Sequence, residues 1–94
     1  MYNQSQDQYK NITAVSSPVI FAGSGTLYAI VVNNQHSGGT ITITDNASPA
    51  TTVGTIKLAT AETSLPPFVY NAVIGGGLQI TTTASPDITV LWQK

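Results

Sequence analysis

The sequence predicts an all-β fold, an antiparallel β-sandwich or jelly-roll-like arrangement of seven to eight short strands. Three observations carry this. Apolar residues alternate with β-branched alcohols at period two, as in Thr40-Ile41-Thr42-Ile43-Thr44. Such alternation marks a strand with one face buried, and threonine suits it because its branched Cβ favours extended backbone while its hydroxyl tolerates water. Turn residues recur at short spacing, and helical periodicity is nearly absent.

The strands expected in order are residues 12–15, 19–22, 27–33, 40–44, 52–58, 68–73, 78–82 and 87–92. They are separated by Ser16-Ser17-Pro18, Gly23-Ser24-Gly25, His36-Ser37-Gly38-Gly39, Asp45-Asn46, Pro66-Pro67, Gly75-Gly76-Gly77 and Ser85-Pro86. Glycine supplies positive φ at such places and proline ends a ladder. Only residues 59–64 invite a helical reading, and that stretch is long enough for no more than a single 3₁₀ turn before Pro66. The chain divides into a polar N-terminal tail or arm, residues 1–11, and one sandwich domain, residues 12–94.

Two strands break simple alternation. Strict parity puts Leu27, Ala29 and Val31 on one side and Tyr28, Ile30 and Val32 on the other, all apolar or aromatic. A sheet in a sandwich buries one face only, so the second needs a cover. Ile88, Val90 and Trp92 share one face of the last strand while Leu91 points away. Tyr28, Ile30, Val32 and Leu91 are therefore the candidate oligomer interface.

A chain of 94 residues forms one domain and buries only about two-thirds of its unfolded surface. With no cysteine, neither a disulfide framework nor a Cys-based zinc site supplements that core. Packing against copies of itself is the remaining support. Three lysines and no arginine leave no basic patch for a phosphate backbone, so no nucleic-acid partner is expected. The longest apolar runs fall far short of the roughly 20 residues of a spanning helix, so no membrane partner is expected either. The polar start, without a basic and then apolar segment, points to synthesis in a cytoplasm. The sequons at Asn3, Asn11 and Asn46 accordingly read as chance triplets in a chain rich in Asn, Ser and Thr.

Chemistry has few candidates. His36 is the one imidazole, in a segment that reads as the tip of a hairpin, where preorganised constellations seldom sit. Of the four acids, Asp45 reads as a turn residue, Asp87 as a strand-start cap, Glu62 as a loop residue and Asp7 as part of the tail; no catalytic pair follows from their spacing. Gly75-Gly76-Gly77 lacks the Lys and Ser/Thr of a P-loop and reads as a turn. A sugar-binding sandwich would use exposed rings, for which Trp92 with Tyr70 or Tyr28 are the candidates, but parity sends Trp92 to the core. No catalytic residue, cofactor or metal ligand is expected.

Several segments together, Gly25-Thr26-Leu27-Tyr28-Ala29-Ile30-Val31-Val32-Asn33, Gly39-Thr40-Ile41-Thr42-Ile43-Thr44-Asp45-Asn46, Gly54-Thr55-Ile56, Gly77-Leu78-Gln79-Ile80-Thr81-Thr82 and Asp87-Ile88-Thr89-Val90-Leu91-Trp92, resemble the small virion structural proteins of tailed bacteriophages and prophages. That type shows a G-x-L-x-x-I-V-V-N strand, a G-T-I-T-I-x-D-N hairpin and a final D-I-T-V strand ending in an aromatic. The likeness runs from residue 12 to the end. It implies a capsid-decorating, tail or fibre-associated subunit made in the bacterial host cytoplasm and placed in the virion. Its partners would be itself, as a symmetric homo-oligomer and most simply a trimer, and other virion proteins. A carbohydrate-binding or adhesin-like module is the alternative from another class.

Overall fold

A computed structural model describes residues 8–94. Eight strands are present: β1 (Gln8–Ile12), β2 (Val19–Ala22), β3 (Gly25–Asn34), β4 (His36–Asp45), β5 (Thr51–Ala61), β6 (Phe68–Ile74), β7 (Gly77–Thr82) and β8 (Asp87–Gln93). They form two antiparallel four-stranded sheets, sheet A in the order β1-β8-β3-β6 and sheet B in the order β2-β7-β4-β5. The ladders β1–β8, β2–β7, β3–β6 and β4–β5 nest one inside the next around the β4–β5 hairpin. Every other connection between consecutive strands passes from one sheet to the other.

Alternation places the core between the sheets. Ile12, Leu27, Ile30, Val32, Ile74, Ile88, Val90 and Trp92 come from sheet A, and Phe21, Ile41, Ile43, Ile56, Leu58, Leu78 and Ile80 from sheet B. Trp92 is buried as parity requires, with its ring centroid 6.3 Å from that of Phe21. Its indole Nε1–H meets no hydrogen-bond partner among the described residues.

Four expectations need correction. The first strand is Gln8–Ile12, not residues 12–15, so the boundary expected at residue 11 falls inside a ladder. Only Ile12 of β1 is buried; the strand exists because β8 offers it a free edge. The rest of the expected tail, residues 1–7, lies outside the described residues. Secondly, the segment around His36 is no hairpin tip, because β3 and β4 belong to different sheets and only Gln35 separates them. Thirdly, residues 59–61 extend β5 instead of coiling. The fourth concerns Ile30 and Val32, which are fully buried in the core and take no part in any outer surface.

The reason is a bulge. Leu27 stands opposite Trp92 and Ala29 opposite Leu91, so Tyr28 is an extra residue with no counterpart on β8. Parity inverts there. Leu27, Ile30 and Val32 all reach the core, while Tyr28, Ala29 and Val31 share the outside.

Polar side chains fix the joints between sheets. Buried Gln35 accepts from the Ala59 N–H at 2.8 Å and donates through Nε2 to Thr63 Oγ1 at 2.8 Å, pinning the β3–β4 crossing to the end of β5. Thr82, at a core position, donates to the Ala14 carbonyl at 2.8 Å and accepts from the Ser16 N–H at 3.1 Å, which holds the β1–β2 loop. Asp45 joins a third pair of loops. Its carboxylate accepts from the N–H groups of Ala47 (3.1 Å), Gly75 (3.0 Å) and Gly76 (2.8 Å). A side chain at Gly76 would run into the backbone of Asn46 and Ala47, so glycine there is a matter of close approach.

Replacing Gln35 with Ala leaves the Ala59 N–H and the Thr63 hydroxyl without this buried partner. We expect a loss of about 1–3 kcal/mol, read as a shift in the urea unfolding midpoint without a change in slope. The Gly75, Gly76 and Ala47 amides hold the Asp45 carboxyl below its usual pKa of 3.8, against a smaller opposing effect of desolvation. A group depressed in the folded state stabilises fully above its unfolded pKa and loses that contribution as pH falls through the folded value. The Tm should therefore drop more steeply on acidification below about pH 4 than in D45N, and parallel curves for the two proteins would refute the role given to this carboxylate.

Candidate functional site

The two outer faces of the sandwich differ. Sheet B presents threonine in register: Thr81, Thr42 and Thr55 stand side by side on β7, β4 and β5, and Gln79, Thr44 and Thr52 form the next row. Thr40 and Lys57 make a third. Each hydroxyl can exchange hydrogen bonds with water, so this face is suited to solvent.

Sheet A presents carbon. Tyr9 pairs with Leu91, Leu91 with Ala29 and Ala29 with Val69, so one uninterrupted apolar row crosses β1, β8, β3 and β6 at right angles to the strands. Tyr9 is 73% exposed and Val69 57%. Ala29, in the row's interior, is only 1% exposed, closed over by bulkier neighbours. Tyr28 beside it, on the bulge, is 39% exposed, and Val73 further along β6 is 82% exposed. Val31 and Leu91 are half-buried.

The margins of this face are polar. At one end the Asn11 Nδ2 donates to Asp87 Oδ1 at 2.8 Å and to the Ile88 carbonyl at 2.8 Å. Asn33 Nδ2 donates to the same Asp87 oxygen at 3.1 Å and to Thr89 Oγ1 at 3.0 Å. Asn11 first and Asn33 second lower the Asp87 pKa, with desolvation opposing them. Thr26 and Gln93 border the other end, paired with each other across β3 and β8. An apolar centre empty of charge within a polar border is the anatomy of a protein contact surface.

Of the four interface residues expected from sequence, the structure puts Tyr28 and Leu91 on this face and Ile30 and Val32 inside. It adds Tyr9, Ala29, Val31, Val69 and Val73. β6 carried the legible signal, since Val69 and Val73 oppose Phe68, Tyr70 and Ala72 in parity and make the strand apolar on both sides. Tyr9 was hidden in a segment that reads as polar.

The chemical candidates are dispersed. His36 Nδ1 lies 2.7 Å from Glu62 Oε2, both side chains exposed, beside a shallow open depression of about 510 Å³ lined also by Thr60 and Ala61. Asp87 and Asp45 are each committed to hydrogen bonds within the fold. The amides of Gly75 and Gly76, which an anion would need, already hold the Asp45 carboxylate. Among the described residues no three His, Asp or Glu side chains group as metal ligands. Tyr70 packs against the core and closes the seam beside Gly54 of β5, where burial raises its pKa.

An exposed ion pair contributes between nothing and about 1 kcal/mol. His36→Ala and Glu62→Gln should each shift the denaturant midpoint by no more than this; a loss several times larger would show that the pair holds the β3–β4 crossing, a role the geometry gives to Gln35.

Comparison of the chain with protein-family models, with curated proteins and with solved structures finds no match.

Proposed function

We propose that this protein is a non-catalytic structural subunit that assembles with copies of itself through the outer face of sheet A, as a phage-type virion component of the capsid-decorating, tail or fibre-associated kind. The observation that carries the assembly is the uncharged apolar row Tyr9-Leu91-Ala29-Val69 spanning all four strands. A lone small domain gains nothing by exposing such a row to water. The virion setting rests on the resemblance of the strand sequences from residue 12 onward. The nested ladders support the finer reading of the fold as a jelly roll, a double sheet of eight strands that a long hairpin makes when it rolls up.

The carbohydrate-binding alternative has less to stand on. Trp92 is in the core and Tyr70 in the seam. Tyr9 and Tyr28 are exposed among Val, Leu and Ala, without the convergent polar groups that orient a sugar.

Light scattering at high protein concentration tests the assembly. The expected mass is two or more times that of the 9.8 kDa chain. A mass that stays at one chain at every concentration would overturn the reading.

A further inference from the structure

The row on sheet A has an order of sizes. Crossing from β1 to β6 it runs tyrosine, leucine, alanine, valine. We propose that a second copy of this chain covers it face to face about a two-fold axis that lies between the faces, parallel to the strands and midway between β8 and β3. This rests on the assembly reading above and specifies its partner and geometry.

That axis reverses the row. Tyr9 meets Val69 of the second copy, and Leu91 meets Ala29 of the second copy, each pair occurring twice as an isologous contact demands. A larger side chain faces a smaller one at every position, so bulk is shared evenly across the contact. The other two-fold that keeps the strands of the two copies aligned runs along the row. It would set the two Tyr9 rings and the two Leu91 side chains against each other and the two alanines against each other, gathering the bulk on one half of the row. Interiors and interface cores pack to similar density, which an uneven distribution of bulk across the contact works against.

Area and charge agree with a second copy as occupant. A stable interface of standard size buries about 800 Å² per partner, of which about 56–65% is apolar, so about 450–520 Å². Tyr9, Tyr28, Val69 and Val73 at their observed exposures offer on the order of 400 Å², and the half-buried Val31 and Leu91 add to it. Among the described residues the charged side chains lie off the row: Lys10 follows Tyr9 on β1 but stands opposite the core residue Val90 and so faces the other side of the sheet, Lys57 is on sheet B, Asp45 and Glu62 are at the loops, Lys94 is at the last position, and Asp87 is at the margin with its carboxylate held by Asn11 and Asn33. Two identical faces can therefore meet without bringing like charges together.

The chain has no cysteine, so introduced thiols report without background. Tyr9 and Val69 are both largely exposed, so a cysteine at either should leave the fold intact, to be checked by circular dichroism. They sit three strand spacings apart within one copy, about 14 Å, whereas faces in contact lie about 10 Å apart. With a short thiol-to-thiol reagent cut to the latter distance, the Tyr9→Cys/Val69→Cys double variant should give a covalent dimer, and neither single variant should. The wild-type mass should be two chains or an even multiple, and Val69→Asp should halve it with the fold retained. Cross-linking of Tyr9→Cys alone, an odd-numbered assembly such as a trimer, or an assembly that Val69→Asp leaves whole would overturn the two-fold and leave the building-block reading standing. A wild-type monomer would overturn both.

Discussion

A strand has two faces, and the extra residue at Tyr28 settles what β3 does with each. Before it, Leu27 points inward opposite Trp92; after it, Ile30 and Val32 point inward opposite Val90 and Ile88. Strict alternation would have given the core either Leu27 with Ala29 and Val31, or Ile30 with Val32 but not Leu27. The bulge lets the core keep all three large side chains and sends the remainder outward. Because the side-chain period is two, a single inserted residue exchanges faces for everything beyond it. The identity of the outer patch follows from that insertion as much as from composition.

The two outer faces show what the same β-forming preference yields with different side chains. Val, Ile, Tyr and Thr all favour extended backbone. On sheet B the choice is Thr, whose hydroxyl keeps company with water; on sheet A it is Tyr, Val, Leu and Ala, which do not. In a domain of 94 residues with no disulfide, stability is thin and solubility depends on covering apolar surface. A face spread across four ladders is costly to leave wet, and the Asn11, Asn33 and Asp87 network at its margin shows where the greasy region stops.

Much of this was legible in the residues. Every strand after the first covers the segment where alternation put it, although β4 begins four residues earlier and β5 ends three later than expected; Trp92 is in the core by its parity with Ile88 and Val90, and Asp45 bonds backbone two residues on, as a turn aspartate does. What was illegible depends on partners. Gln8-Tyr9-Lys10-Asn11 has no strand signature of its own and becomes one by pairing with β8, a case of tertiary context overriding local pattern. Gly38 and Gly39 read as a turn yet lie within β4 at φ of 86° and 89°, with Gly39 against Ala84, while the chain passes from one sheet to the other at Gln35 instead. Half of the interface expectation failed because a period cannot announce its own interruption: Tyr28 is the bulged residue and Leu91 stands beside it on β8, whereas Ile30 and Val32 lie beyond the bulge.

The polar side chains fit the proposed role of a building block. Gln35, Thr82, Asp45 and Asn11 each tie a loop or edge to a strand remote in sequence, using amides, a hydroxyl and one carboxylate instead of salt bridges. Such bonds hold geometry at the ends of the sandwich, where backbone groups would otherwise lack partners. They leave the broad faces free of directional demands. An interface built on four paired strands with pinned ends has little left to order when another surface arrives. The entropy cost that burdens loop-built contacts is then largely absent, so the proposed assembly asks only a modest apolar area of each copy.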